Sequence, residues 1–204
     1  MNALELLEQS QVMPVMVIQD ITTAVDLARA LIQGGVRTLE ITLRSEHALD
    51  AIRLISQEVP DALVGAGTVR TPAQFEAAIE AGAAFCVSPG LTPSLARSAH
   101  QFGVPFLPGI ATASESMFAA DQGFSVQKLF PAEAVGGVGL LKALYGPLPD
   151  IVFCPTGGIN ATNARQYLAL PNVKCVGGSW LTPEAAVAEK RWDVIAALAR
   201  EACT

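Results

Sequence analysis

The sequence predicts an α/β protein, a (β/α)8 TIM barrel with a short N-terminal helix. Three observations carry that reading. Eight short apolar segments recur with starts roughly 20 to 26 residues apart, the length of one strand–helix unit. Helical patterns with three- and four-residue apolar spacing fill the intervals. The glycines gather after the late strands, whereas an open doubly wound sheet, the competing architecture, usually shows a Gly-rich turn after the first. Alternating strands and helices give a parallel sheet. Eight such units in 204 residues sit at the short end for the barrel and imply tight loops.

In chain order, Met1 to Gln11 reads as a short amphipathic helix with Leu4, Leu6 and Leu7 inward. It carries Glu5 and Glu8 and no basic residue, so it is not read as a secretory signal. The expected strands are Val12–Ile18, Thr38–Leu43, Ala62–Thr68, Phe85–Pro89, Pro105–Ile110, Val126–Phe130, Ile151–Pro155 and Val173–Val176. Between them, Thr22 to Gln33 carries Ala24, Leu27, Ala28 and Leu31 and ends at Gly34-Gly35. Glu46 to Glu58 carries Leu49, Ile52 and Ile55 and stops before Pro60. Thr71-Pro72 and Thr92-Pro93 each open a helix with a threonine cap and a proline at the first position; these run to Gly82 and Gly103. Thr112 to Gln122, Val138 to Tyr145 and Thr162 to Leu170 follow, and one last helix is expected over Pro183 to Ala202.

Composition narrows the function. One domain over 1–204 is expected, and with 51% apolar residues a large core can form. The net charge of −6, with no basic stripe, makes nucleic acid and anionic membrane poor partners. The apolar runs are too short and too broken to span a bilayer. Cys86, Cys154, Cys175 and Cys203 are far apart, show no CxxC, and read as reduced core residues of a cytoplasmic protein. His47 and His100 have no metal-ligand spacing, so no metal site is expected.

The chemistry centres on Val126-Gln127-Lys128-Leu129-Phe130. Strand side chains alternate, so Val126, Lys128 and Phe130 share one face. A buried ammonium is strongly disfavoured, burial lowers a lysine's pKa, and the neutral amine attacks ketones. Lys128 is therefore a candidate Schiff-base lysine; the other reading is a buried stem whose head reaches water. On the second strand Thr38, Glu40, Thr42 and Arg44 share the face opposite Leu39, Ile41 and Leu43. That sets Glu40 and Arg44 on the interior, where they either serve a site or pair with each other. Arg44 beside Lys128 would help depress its pKa. Thr68 lies at the tip of Val64-Gly65-Ala66-Gly67-Thr68, and Pro89 follows the fourth strand. Thr156-Gly157-Gly158, with a helix after it, and Gly177-Gly178-Ser179 read as anion-binding turns after strands seven and eight, or as tight-turn chemistry alone. Lys174 is the rival lysine, but it falls at the start of a strand, the opposite end of a barrel.

Six motifs, collinear from about Val12 onward, resemble the bacterial 2-keto-3-deoxy-6-phosphogluconate (KDPG) aldolases: Leu39-Glu40-Ile41-Thr42-Leu43-Arg44, Val64 to Val69, Ser88-Pro89-Gly90, Lys128 to Glu133, Cys154 to Ile159 and Gly177 to Trp180. The resemblance implies a homotrimeric, metal-free class I aldolase without a cofactor. Its substrate would be a small 2-keto-3-deoxy sugar phosphate, cleaved to pyruvate and glyceraldehyde 3-phosphate, with 4-hydroxy-2-oxoglutarate as a second substrate. By motif, Lys128 forms the Schiff base and Glu40 is the general acid/base. Arg44 and Thr68 bind the pyruvyl carboxylate with help from Pro89, and Phe130 packs on the pyruvyl unit. Thr156 contacts the C4 hydroxyl, and Gly157, Gly158, Gly178 and Ser179 hold the phosphate. Leu129 and Val135 stand where relatives often carry Phe and Asn. The galactonate epimer remains an alternative substrate. A phosphate-binding barrel isomerase, which needs no strand lysine, and a non-catalytic sugar-phosphate binder are the rival functions.

Overall fold

Asn2 opens the chain's first helix, α1 (Ala3–Leu7), by a reciprocal cap: its side chain accepts the Glu5 N–H, and its own N–H donates to the Glu5 carboxylate. The structure, a computed structural model, describes residues 1–203. Strands and helices then alternate: β1 (Val12–Met16), α2 (Ala24–Gln33), β2 (Thr38–Thr42), α3 (Ala48–Glu58), β3 (Leu63–Gly67), α4 (Pro72–Glu80), β4 (Cys86–Val87) and α5 (Pro93–Phe102). They continue with β5 (Phe106–Leu107), β6 (Gly109–Ile110), α6 (Ala113–Asp121), β7 (Val126–Leu129), α7 (Gly137–Tyr145), β8 (Val152–Pro155), α8 (Ala164–Leu168), β9 (Val176–Gly178), α9 (Glu184–Ala188) and α10 (Trp192–Ala202). The threonine caps act as expected: Thr71 accepts the Gln74 N–H at 3.2 Å and Thr92 the Leu95 N–H at 3.3 Å. No helix among the described residues is long and apolar enough to cross a membrane.

All strand pairs are parallel. A six-stranded sheet in the order β5-β4-β3-β2-β1-β9 forms a half-barrel, and a second sheet has the order β6-β7-β8. Single bridges, Phe153 to Val173 and Thr156 to Gly177, connect β8 with the segment of β9. The two faces of the strands have different surroundings. Leu39, Ile41 and Leu129 join the large core against the helices. Met13, Phe85, Val87, Leu107, Val126, Cys154 and Cys175 form an inner cluster closed at one end by Leu6 and Leu7 of α1. Gln127 points outward, where its amide bonds Ser116 and the Phe124 carbonyl; Lys128, one residue on, points inward.

Four expectations need correction. The fifth strand is broken into β5 and β6 by Pro108, which has no N–H for a ladder but whose carbonyl accepts the Lys128 N–H at 2.9 Å. The eighth strand lies later than Val173–Val176, so Gly177 and Gly178 are paired strand residues opposite Met13 and Pro14 of β1 and not a turn. The helix after Gly157-Gly158 starts only at Ala164 and has five residues, so its N-terminus is no part of that turn. The last helix is two. Lys190 adopts a left-handed φ of 54°, its N–H donating to Val187 O and that of Arg191 to Ala186 O. This is a Schellman stop at α9 with lysine in the place usually held by glycine.

Candidate active site

Strand pairing brings the charged residues together. Across the sheet Val15, Glu40 and Gly65 stand in register, as do Gly109, Lys128 and Cys154. Glu40 and Lys128 face each other across the interior, the Lys128 Nζ donating to Glu40 Oε1 at 3.2 Å. Only 2% of the Glu40 side chain and 7% of the Lys128 side chain reach solvent. A buried pair of this kind is kept in place because removing either member strands the other. The glycine of β3 makes room for it: a Cβ at Gly67 would run into the Glu40 carboxylate. The Phe130 ring lies 5.2 Å from the ammonium, within cation–π range.

Glu40 and Arg44 are not partners of each other. Arg44 is exposed, and its Nε donates to Thr42 Oγ1 at 3.1 Å; Thr42 in turn donates to Met16 O at 2.9 Å. Thr42 therefore ties the guanidinium to β1, a contact that the shared parity of Thr42 and Arg44 allowed but did not announce. Arg44 and Ser179 line one cavity of about 760 Å³ between the end of β1, the Gln19-Asp20 turn and α9. Lys174 is exposed and precedes β9.

Thr68, directly after β3, has φ 59°, the left-handed region, where a β-branched residue is strained by roughly 1–3 kcal/mol. Its neighbours hold it there: Gly67 O accepts the Leu43 N–H, and Val69 N–H donates to Val87 O. Strain of that size clusters at functional sites. Pro89 is exposed, and its backbone lies where a Cβ of Gly109 would be.

The late turns differ in kind. Thr156 is buried, and its Oγ1 has no hydrogen-bond partner among the described residues; buried polar atoms are normally paired, so an orphan calls for an explanation. Gly177 lacks a Cβ where that hydroxyl sits. Gly157 and Gly158 have φ of 103° and 81°, open only to glycine at low strain. Gly178 lies in β9 against the Trp180 ring, and Ser179 is exposed beyond it. Glu133 stands within a motif but has no task by sequence; its carboxylate accepts a hydrogen bond from the buried Tyr167 hydroxyl, a contact 34 positions apart that no local pattern signals.

Two of the buried thiols, Cys86 and Cys175, are held protonated. Burial pushes Cys86 up to about 12, and a hydrogen bond with Cys154 together with burial pushes Cys175 up as well. Thiols so placed are poor nucleophiles. Among the described residues no group of three or more His, Cys, Asp or Glu side chains comes together to hold a metal ion.

A strand lysine buried against a carboxylate inside a parallel α/β fold can equip a lyase that works through an amine, as an aldolase does. Comparison with known proteins gives the same class and narrows it. The family model described as KDPG and KHG aldolase matches residues 4–198. The 2-dehydro-3-deoxy-phosphogluconate aldolase of Dickeya dadantii (strain 3937) is 54% identical, over 98% of this chain and 94% of its own. The KHG/KDPG aldolase of Escherichia coli (strain K12) is 51% identical over the same shares. A crystal structure of KDPG aldolase from Legionella pneumophila, with pyruvate captured at low pH as a covalent carbinolamine intermediate, superposes with a TM-score of 0.95 at 45% identity, over 98% of this chain and 97% of that one. The chain belongs to the KDPG and KHG aldolase family.

Proposed function

We propose that this chain is a class I aldolase cleaving 2-keto-3-deoxy-6-phosphogluconate to pyruvate and glyceraldehyde 3-phosphate, with 4-hydroxy-2-oxoglutarate, cleaved to pyruvate and glyoxylate, as a second substrate. The observation that carries the reading is the 3.2 Å contact between Lys128 Nζ and Glu40 Oε1 in the interior. Glu40 takes a proton from the Lys128 ammonium, and the free amine attacks the C2 ketone. Glu40 returns a proton to the carbinolamine oxygen, which leaves as water and gives the iminium. The iminium is the electron sink as C3–C4 breaks, and the C4 hydroxyl gives up its proton to Glu40. Protonation of the enamine at C3 and hydrolysis release pyruvate and the free lysine.

The other roles follow from position. Arg44 offers two parallel N–H donors to the pyruvyl carboxylate, joined by Thr68 and the Pro89 segment. Phe130 packs on the pyruvyl unit beside Lys128. The unpartnered Thr156 hydroxyl bonds the C4 oxygen, and Gly157, Gly158, Gly178 and Ser179 hold the phosphate. The reading also takes the two sheets as one closed (β/α)8 barrel in a single domain over 1–204, supported by the two β8–β9 bridges and by the near-continuity of β5 and β6 around Pro108. Exposed Met117 and Phe118 on α6, beside a groove lined by Val69, Leu91 and Leu95, favour a homotrimer. Four free cysteines, three of them buried, suit the cytoplasm.

The test is borohydride reduction in the presence of pyruvate, followed by peptide mass mapping. A reduced adduct on Lys128 is expected. Pyruvate binding without any adduct would discard the Schiff-base mechanism and return Lys128 to a structural role.

A further inference from the structure

We infer that Glu133 and Tyr167 are a positioning pair that sets the Gly157-Gly158 turn for the substrate phosphate. The inference rests on the reading of that turn as the phosphate cradle. Tyr167 is fully buried on α8, and its hydroxyl reaches across to Glu133 Oε1 in the turn after β7. Burial and the Glu133 carboxylate push the phenol well above the usual tyrosine range, so it stays a donor. Gly137, at the start of α7, has no Cβ where the two oxygens meet. The segments that follow β7 and β8 are thus pinned at one point.

The cradle is packed against that point. A Cβ at Gly158 would fall on the Glu133 Cβ and Cγ, so the glycine backbone rests directly on this side chain. The Ala132 N–H donates to Thr156 O at 2.8 Å, the Glu133 N–H to Gly157 O at 3.1 Å, and Asn163 Nδ2 to Gly158 O at 3.1 Å. Three successive carbonyls of the turn are therefore held by the framework, and no group among the described residues accepts the Gly158 N–H. Successive backbone N–H groups in such a turn form an anion-binding concavity. A glutamate is an odd neighbour for a phosphate, since like charges repel. With one oxygen fixed by Tyr167, the carboxylate is drawn towards α8 and its methylenes face Gly158.

The test uses the full chain and two readouts. First, inorganic phosphate is titrated while the Gly157 and Gly158 amide resonances are followed. Loss of one charge-assisted hydrogen bond in Tyr167→Phe should weaken phosphate about tenfold. Glu133→Ala should match it, whereas Glu133→Gln keeps an acceptor oxygen for Tyr167 and should stay within about threefold of the native protein. Second, in turnover, KM for the phosphorylated substrate should rise about tenfold in Tyr167→Phe, while 4-hydroxy-2-oxoglutarate, which has no phosphate, changes far less. Unchanged phosphate affinity in both Tyr167→Phe and Glu133→Ala, or equal losses on both substrates, overturns the pair. Pyruvate trapping in the native protein tests the aldolase reading separately; if that fails, the phosphate titration still decides this proposal.

Discussion

Glu40 and Lys128 lie 88 positions apart in the chain and 3.2 Å apart in the folded molecule. One comes from β2 and the other from β7, so the contact exists only when the two sheets stand face to face. Each charge is buried and each depends on the other. Lys128→Ala should abolish turnover and, by stranding the carboxylate, lower stability by roughly 3–5 kcal/mol. Glu40→Gln keeps an acceptor oxygen for the Lys128 Nζ, so it should lower stability less than Lys128→Ala, and it should slow turnover by about 10²-fold or more. Steady-state kinetics beside urea denaturation separate the two effects, and a Lys128→Ala variant with near-native turnover would sink the assignment.

Gly67 is the residue that lets Glu40 stand where it does. Gly67→Ala places a methyl in the carboxylate and displaces it. A loss of about 10²-fold in kcat is expected, the scale for ångström-level misplacement of a reacting group. In the Glu40→Gln background the same substitution should do much less, because the two act on one interaction. Additive losses in the double variant would show that Gly67 acts elsewhere.

Thr156 carries a buried hydroxyl without a partner. Thr156→Val keeps the shape and removes the unsatisfied group. Stability should be unchanged or higher by about 1 kcal/mol, while kcat/KM falls and the preference between the gluconate and galactonate epimers narrows. Urea denaturation and an assay with both epimers check this; a stability loss with full selectivity would assign the hydroxyl to the fold alone.

Alkaline stability should report on Cys86. Its thiol is raised from 9.0 to about 12 by burial. Below 9 both folded and unfolded forms are protonated and the full stability is present. Between 9 and about 12 the unfolded thiol ionises while the folded one does not, so stability falls as pH rises, by about 1.4 kcal/mol per unit. Denaturation curves across that window should be less steep in pH for Cys86→Ala. An unchanged pH slope would assign the alkaline loss to other groups.

Much of the frame was legible because its signals are local. Side-chain alternation put Lys128 on the face opposite Gln127 and Glu40 opposite Leu39 and Ile41, and the core follows that division. Thr-Pro pairs marked α4 and α5. What escaped was set by distant contacts or by residues in unusual roles. A left-handed lysine ends α9, so no glycine announced the break before α10. Thr68 takes a backbone conformation that its side chain disfavours, held by bonds of its neighbours to Leu43, just after β2, and to Val87 of β4. The glycines of β9 looked like a turn because glycine is common in turns; here they leave space for Thr156 and Trp180. The tie between Glu133 and Tyr167 joins elements that no local pattern relates. Pro108 was in plain view, and its missing donor could have divided the fifth strand in advance.

The pairing of β1 with β9 has a bearing on synthesis. β1 is made long before Val176 to Gly178, the residues that match one of its edges. α10, the last helix, then seats on α2, where Gly34 has no Cβ to obstruct its backbone. While the ribosome is still translating, the growing polypeptide carries an open strand edge of apolar residues, the kind of surface that other nascent chains can capture. A ribosome stalled before Val176 is made would therefore hold a product primed for aggregation or for a chaperone, because that edge of β1 is covered only once Val176 to Gly178 have emerged.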